Sequence, residues 1–481
     1  MNISESIKKF ADFITPEAPK DDSISGISSD VVSLSDSTYL VSAAARICVG
    51  MKPVEDYEKR KEHISRVVGR GHESVLEHTN IIMVIHFTSS SCLDVLRLSE
   101  SFRYLHWHIT EEKNTDSYNE IEYKEKEAKV KNIVSSGNKY HLLLGGSIRA
   151  YKNIFKETKE LSSNPIYEEI KNNLYCSAEK VFFKDLIEDG IMDENSFGFI
   201  PRGNMNYEQK NEVKDGKEEV LGTECTGSLP IPNTIVGDRV DIIQAHNTFQ
   251  DVYDKVKGYG FTIKDVLDVV SVSVIFHDIS RPISMQINRH RNAISQESQR
   301  YVDYSNKGFV DPSNFIEGEP LGNFSVNIFG ATKELSLADL GKELVNVYPQ
   351  LINQGLLKQD ARSFLPSNVC TKLMMTFTYR NLFHFLDMRL SKGAQAEVRA
   401  VAEELDKKMR KYDPYIYNLF ALSKEEIEQS KEDLVVSDDY TPSKIISYSE
   451  SPVYIDARDK ENSKRESIDE VIDEEIVEGE N

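Results

Sequence analysis

The sequence predicts an α+β fold that occurs twice in one chain, and three observations carry that expectation. Apolar runs such as IIMVIHF (Ile81–Phe87) and VVSVSVIFH (Val269–His277) read as strands. Each is followed by a Ser-initiated segment of helical character, and the later helices lack the regular alternation of a βαβ series. Finally, features recur in the same order. LIEDGIMDENSFGFIP (Leu186–Pro201) aligns without a gap on LINQGLLKQDARSFLP (Leu351–Pro366) at an offset of 165. SESFRY (Ser99–Tyr104) pairs with QESQRY (Gln296–Tyr301), and GRG (Gly69–Gly71) with GYG (Gly258–Gly260).

A length of 481 residues exceeds the roughly 100–200 of one typical domain, and duplication accounts for it. Residues 1–35 are polar and Ser/Asp-rich, a flexible lead-in. The two copies are expected over 36–235 and 236–422, each a helix, a turn, a strand, a Ser-initiated helix and later helices. Arg202–Gly227, polar and punctuated by glycine, reads as a linker or long loop. Residues 423–481 form an acidic tail: from Glu461 to Asn481 nine acidic residues stand against Lys464 and Arg465. That stretch carries −7 of the −21 net charge, too polar to bury a core of its own.

Composition excludes several classes. A hydrophobic share of 39% is too high for a wholly disordered chain. A charge of −21 argues against nucleic-acid binding, which runs on phosphate neutralisation, but leaves room for a local basic pocket. The five cysteines are scattered and contain no CxxC pair, which suggests neither a disulfide framework nor a zinc site. The first residues lack the apolar run of a secretory signal, and no stretch approaches the ~20 apolar residues of a membrane span. A soluble, cytoplasmic protein is expected.

Three clusters carry candidate chemistry. SRPISMQINRHRNAISQESQRY (Ser280–Tyr301) gathers Gln286, Arg289, His290, Arg291, Ser298 and Arg300, with Ser280 as N-cap and Pro282 in the first turn of a helix. Such donors can hold a phosphate or another anion; they can equally form salt bridges to the abundant carboxylates. In DARSFLP (Asp360–Pro366) and TYRNLFHFLDMRLSKGAQAEVR (Thr378–Arg399), Leu382, Phe385, Leu386 and Arg389 fall on one helical face. Arg389 on a burying face needs a partner, either an internal carboxylate or a bound anion. His384 lies on another stripe, where a structural histidine is the ordinary outcome. In GHESVLEH (Gly71–His78) the two histidines are six apart and do not share a face as in HExxH. A turn that offers Ser74 and backbone N–H groups to a phosphate fits as well as a metal does, and no metal is expected.

Taken in order, these clusters resemble the flavin-dependent thymidylate synthases, the ThyX family. The shared features are AAR (Ala44–Arg46), GHESVLEH, SRxxxxQxxRHR (Ser280–Arg291), a segment ending in SxRY (Ser295–Tyr301), ARxxLP (Ala361–Pro366), and Arg389 followed by AQAEVR (Ala394–Arg399). The resemblance implies two diverged copies of a fold in which long helices surround a mixed sheet. It also implies conversion of dUMP to dTMP, with methylenetetrahydrofolate as carbon donor, NADPH as reductant and FAD between them. By position it implies flavin contacts at His72, Ser74, Arg289, His290, Arg291, Gln296, Thr378, Arg380 and His384. Thr378 and His384 depart from the asparagines usual there. dUMP contacts are implied at Gln286, Arg289, Ser298, Gln299, Arg300, Arg362 and Arg389, with Arg389 as the catalytic arginine at the uracil edge.

The resemblance is divided between the copies. The first keeps GHESVLEH but reads RLSESFRY and Phe197 where the second has its RHR segment and Arg362; the second reads GFTIKDVLD in place of GHESVLEH. A site joining both copies, and a homodimer imitating the family's tetramer, follow as expectations. A catalytically inactive flavin- or nucleotide-binding scaffold is the alternative.

Overall fold

The computed structural model describes residues 27–112, 118–120, 138–197, 206–214, 217–226, 233–235, 239–244, 247–315, 322–328 and 330–416. Most of the N-terminal lead and the whole acidic tail 423–481 lie outside these residues. Of the described residues, those within 1–34, 81–228 and 255–261 form one compact unit, and those within 35–80, 229–254 and 262–481 a second. This partition differs from the expected boundary between 235 and 236, because the segment 35–80 joins the second unit.

The first unit is built on the antiparallel strands β1 (Ser28–Leu34), β2 (Ile81–Thr88), β3 (His106–Glu112), β4 (Tyr118–Glu120) and β5 (Lys139–Gly146), in the order β1-β2-β5-β3-β4. β2 and β5 are central and almost wholly buried, which explains their continuous apolar runs; β1 and β3 are more exposed. The lead-in expected to stay flexible to residue 35 is therefore a strand from Ser28, because pairing with β2 satisfies its backbone. Helix Ile148–Glu157 follows β5 with Ser147 as N-cap, and helix Pro165–Ser177 starts from Asn164 with proline in its first turn.

The stretch expected to be a linker instead contains two paired strands, β6 (Asn206–Lys214) and β7 (Lys217–Thr226). The Asp215-Gly216 pair between them is a strong hairpin signal in the sequence.

The second unit carries β8 (Asn233–Ile235), β9 (Val240–Gln244), β10 (Ser271–Ser280), β11 (Ala293–Gln296) and β14 (Cys370–Thr378), in the order β11-β14-β10-β9-β8. A separate hairpin pairs β12 (Phe324–Ile328) with β13 (Ala331–Leu335). Every described pair in both units is antiparallel, so the sheets are not mixed as the resemblance implied. Helices Tyr379–Leu390 and Ala396–Tyr412 bury Leu382, Phe385, Leu386, Val398, Val401 and Leu405 completely. Burial of such side chains contributes about 1.5–3 kcal/mol each relative to exposure.

Two local features repeat. The orders β1-β2-β5-β3 and β9-β10-β14-β11 place corresponding strands alike, and β5 and β14 each lead through a capping hydroxyl, Ser147 or Thr378, into a helix. At the 165-residue offset the same turn recurs. Gly190 N–H donates to Ile187 O and Ile191 N–H to Leu186 O; Gly355 N–H donates to Ile352 O and Leu356 N–H to Leu351 O. Both glycines hold positive φ, +69° and +92°, where a Cβ would be strained.

Candidate functional site

Every residue assigned to a site from sequence falls in the second unit. Helix Arg281–Asn288 begins as expected: Ser280 Oγ accepts from Ile283 N–H, and Pro282 fits the first turn. Buried Glu397 receives Ser280 N–H at 2.9 Å and Oγ–H at 2.6 Å, which ties this helix start to helix Ala396–Tyr412. The helix stops at Asn288, so Arg289 caps it and Arg291 lies beyond it at φ +50°. Helical spacing from the sequence would set Arg289 and Arg291 on nearly opposite faces, but neither lies within the helix, so that expectation does not apply. Asn292 donates its amide to His290 O at 3.0 Å and receives that of Asn381 at 2.8 Å, which pins the strained turn to helix Tyr379–Leu390.

Arg389 sits half-buried near the end of that helix, on the face of Leu382, Phe385 and Leu386. Its Nε–H donates to His290 Nε2 at 3.1 Å and its Nη2 to Gln286 O at 3.3 Å. Both partners are neutral acceptors. Burial, and then the neighbouring Arg289, lowers the pKa of Arg389 from its ordinary value. The Gln286 side chain in turn donates to Gln395 Oε1 at 2.8 Å. His290 packs edge-on against Phe385 at 5.0 Å and lies 5.9 Å from His384. Burial, then Arg389, then His384 pushes its pKa down to about 4.

Among the described residues, Arg289, Arg291, Arg300, Arg362 and Arg389 form no ion pair. Arg300 lies over the Tyr301 ring at 5.5 Å, and Arg362 donates to Gln359 O at 3.0 Å. Arg380 is different: its Nε and Nη2 grip Asp268 as a bidentate pair, the Nη2 bond at 3.0 Å, and Nη2 also reaches Lys264 O. Asp268 is 112 residues away and was not singled out in the sequence.

GHESVLEH forms a 3-10 turn, Glu73–His78, on the strands of this unit. His78 is fully buried, with Nδ1 2.9 Å from Thr376 Oγ1 and Nε2 3.0 Å from Ser295 Oγ; Thr376 continues to Ser273 at 2.6 Å. The second histidine of the motif is thus an anchor, while His72 and Ser74 are exposed on the turn. Ser298 N–H donates to Cys48 O at 3.0 Å, which joins the end of the AAR helix to the SxRY segment.

The remaining positions lie around these. Thr378 caps helix Tyr379–Leu390 through Asn381 N–H, and His384 is exposed. Among the described residues, the buried Nε2 of Gln296 has no hydrogen-bond partner, a donor still to be satisfied. Ser298 Oγ accepts from Arg300 N–H at 3.2 Å, and Gln299 is half-buried. No contact joins Arg362 to Arg389 or His290 among these bonds. The Asn292–Asn381 link and the Asp268 partner were missed from sequence; the only cue was a polar side chain three positions into a helix that otherwise buries its face.

Fold and site together define an α+β protein whose second unit presents guanidinium groups without internal counter-ions. The profile of the Thymidylate synthase complementing protein family (Thy1) matches residues 30–178 and 237–415, and the chain belongs to that family. Two matched segments fit a tandem duplication. The flavin-dependent thymidylate synthase of Pyrococcus furiosus is 30% identical over 174 residues, 35% of this chain and 66% of that protein. That of Geobacter sulfurreducens is 32% identical over 165 residues, 34% and 66%. The chain thus spans slightly less than two thirds of the length of these relatives. A solved UMP/dUMP methylase PolB from Streptomyces cacaoi, bound with 5-Br dUMP, is 20% identical with a TM-score of 0.24, covering 31% of this chain and 69% of that one; so loose a likeness does not bear on fold or substrate. Among the described residues no helix is long and apolar enough to cross a membrane.

Proposed function

We propose that the chain is a flavin-dependent thymidylate synthase that methylates dUMP to dTMP with methylenetetrahydrofolate as carbon donor and NADPH as reductant. The observation that carries this reading is the set of five arginines, Arg289, Arg291, Arg300, Arg362 and Arg389, left without carboxylate partners in a protein of charge −21. Arg389 is half-buried and the other four are exposed; an anionic ligand stabilises a half-buried cation most and draws exposed ones to it, and dUMP, FAD and NADPH all carry phosphate.

In this reading Arg389 holds the uracil edge and favours its N3-ionised form, because a guanidinium beside an acidic N–H stabilises the anion. Gln286, Arg289, Ser298, Gln299, Arg300 and Arg362 bind the rest of the nucleotide. His72, Ser74, Arg289, His290, Arg291, Gln296, Thr378, Arg380 and His384 hold FAD. The unpartnered Gln296 amide suits a ligand acceptor, and Arg380, already gripped by Asp268, supports the site as a fixed cation. FAD supplies the hydride chemistry when bound. The residues of the chain orient the nucleotide and keep water from it.

The repeated strand order and the repeated glycine turn support two diverged copies of one fold, and the copies differ in equipment. We infer one site per copy pair and a homodimer. The site-bearing unit exposes Met285, Tyr301, Leu357 and Phe364 by 60–63%, apolar surface that a second chain would cover. The visible spectrum of the purified protein, with and without dUMP, tests the reading. A flavin band perturbed by dUMP, with dTMP formed from dUMP, methylenetetrahydrofolate and NADPH, is the expected result; a colourless protein that cannot be loaded with flavin overturns it. A flavin band without turnover would instead favour an inactive scaffold. Light scattering checks the dimer.

A further inference from the structure

This inference rests on the proposed role of Arg389 and deepens it. A guanidinium carries donors only, so the 3.1 Å bond from Arg389 Nε–H to His290 Nε2 requires a lone pair on Nε2 and places the ring proton on Nδ1. We propose that His290 is a positioning residue, a neutral imidazole of fixed tautomer that holds Arg389 and leaves its other donors to the ligand. Its effect on the nucleotide passes through Arg389, beside its place in the flavin-holding set, and it takes no part in the chemistry.

Three further observations support this. The His290 ring is held from the side by Phe385 at 5.0 Å, and its carbonyl is pinned by Asn292, itself bound by Asn381. The imidazole therefore has little freedom to turn away. A second restraint on Arg389, from Nη2 to Gln286 O, fixes the plane of the guanidinium, which one bond alone would leave free to rotate. The charged and titratable groups acting on the ring are Arg389 and His384, with Arg289 acting on Arg389; none is a carboxylate. Together with burial they hold His290 neutral down to about pH 4. Were the ring protonated, Nε2 would become a donor facing a donor, and two cations would adjoin.

The test uses the full chain. With 15N-histidine labelling at pH 7, long-range proton–nitrogen correlation reads the tautomer: His290 protonated at Nδ1 is expected, and a proton on Nε2 or an imidazolium overturns the proposal. In dUMP titrations, His290→Leu should weaken binding by about tenfold, the effect of one lost hydrogen bond to a charged group. His290→Gln, whose Oε1 can accept from Arg389, should recover most of that loss. The double variant His290→Leu with Arg389→Ala should bind no more weakly than Arg389→Ala alone; additive losses, or no rescue by glutamine, overturn the positioning role. Should His290→Leu fail to fold, the tautomer and the glutamine variant decide. Should the wild type not bind dUMP, the nucleotide reading falls, and the tautomer still decides the positioning role.

Discussion

Both units fold as antiparallel sheets with the same inner strand order, yet one group of arginines in the second differs from the paired cations of the first. In the first, Arg97 pairs with Asp94, Arg103 with Glu157, and Lys152 and Lys156 share Asp185 at 2.7 Å each. In the second, the arginines of the RHR and SxRY segments, with Arg362 and Arg389, have no such partners among the described residues. The second unit does pair other cations, Arg239 with Glu397 and Lys307 with Glu297, so the contrast is confined to those five arginines.

Four measurements test this contrast. The largest is expected at Arg389. Arg389→Ala should weaken dUMP binding by about a hundredfold or more and abolish turnover, while far-UV circular dichroism is unchanged. Full activity in that variant would remove the arginine from the site.

Next comes a paired cation of the second unit, Arg380. Asp268→Ala leaves the Arg380 guanidinium, part-buried, without its bidentate acceptor, and should destabilise by about 1–3 kcal/mol, read as a lower urea midpoint. No change would mean that solvent or a ligand replaces the carboxylate.

A smaller effect concerns acid. His141 of the first unit is 5% exposed, 2.7 Å from His86 Nδ1 to Nδ1, and burial, then His86 and Lys139, lowers its pKa to about 4. His86 also bonds Asp30, at 3.2 Å. The folded pKa lies below the unfolded value of about 6.5, so the unfolded chain binds more protons in that window. Stability from this group is complete above about pH 6.5 and is lost as pH falls towards 4. His141→Gln should flatten part of the dependence of the urea midpoint on pH, to which His290 and His63 of the second unit also contribute. A variant as pH-sensitive as the wild type would refute that assignment.

The smallest effect is expected in the first unit at Arg103. Its side chain is 59% exposed and its bond to Glu157 is a surface pair, so Arg103→Ala should change stability by less than about 1 kcal/mol and leave dUMP binding unaltered. A loss of nucleotide affinity there would mean that the first unit still contributes to a site.

Much of this was legible in the sequence, for identifiable reasons. Ser280 and Pro282 marked a helix start because capping and proline geometry are local, and the helix begins there. Leu382, Phe385 and Leu386 declared a buried face because periodicity encodes it. The Asp-Gly signal of the 206–226 hairpin stood in a polar stretch that read as a linker, yet backbone pairing holds two strands there, since ladder hydrogen bonds do not require apolar side chains. Antiparallel pairing throughout was beyond reach, because a strand's own residues do not specify the direction of its neighbour.

The sequence by itself determined the α+β class, the repeat and the residues able to meet an anion, because these depend on residue type and on spacing over a few turns. Only the tertiary structure decided that GHESVLEH joins the second unit through His78, that Asp268 claims Arg380, and that Arg389 meets a neutral histidine and no carboxylate. Each of these turns on residues about a hundred or more positions apart, which come together only when the sheet and its helices bury their apolar faces. Whether a charge is paired is a property of that packing.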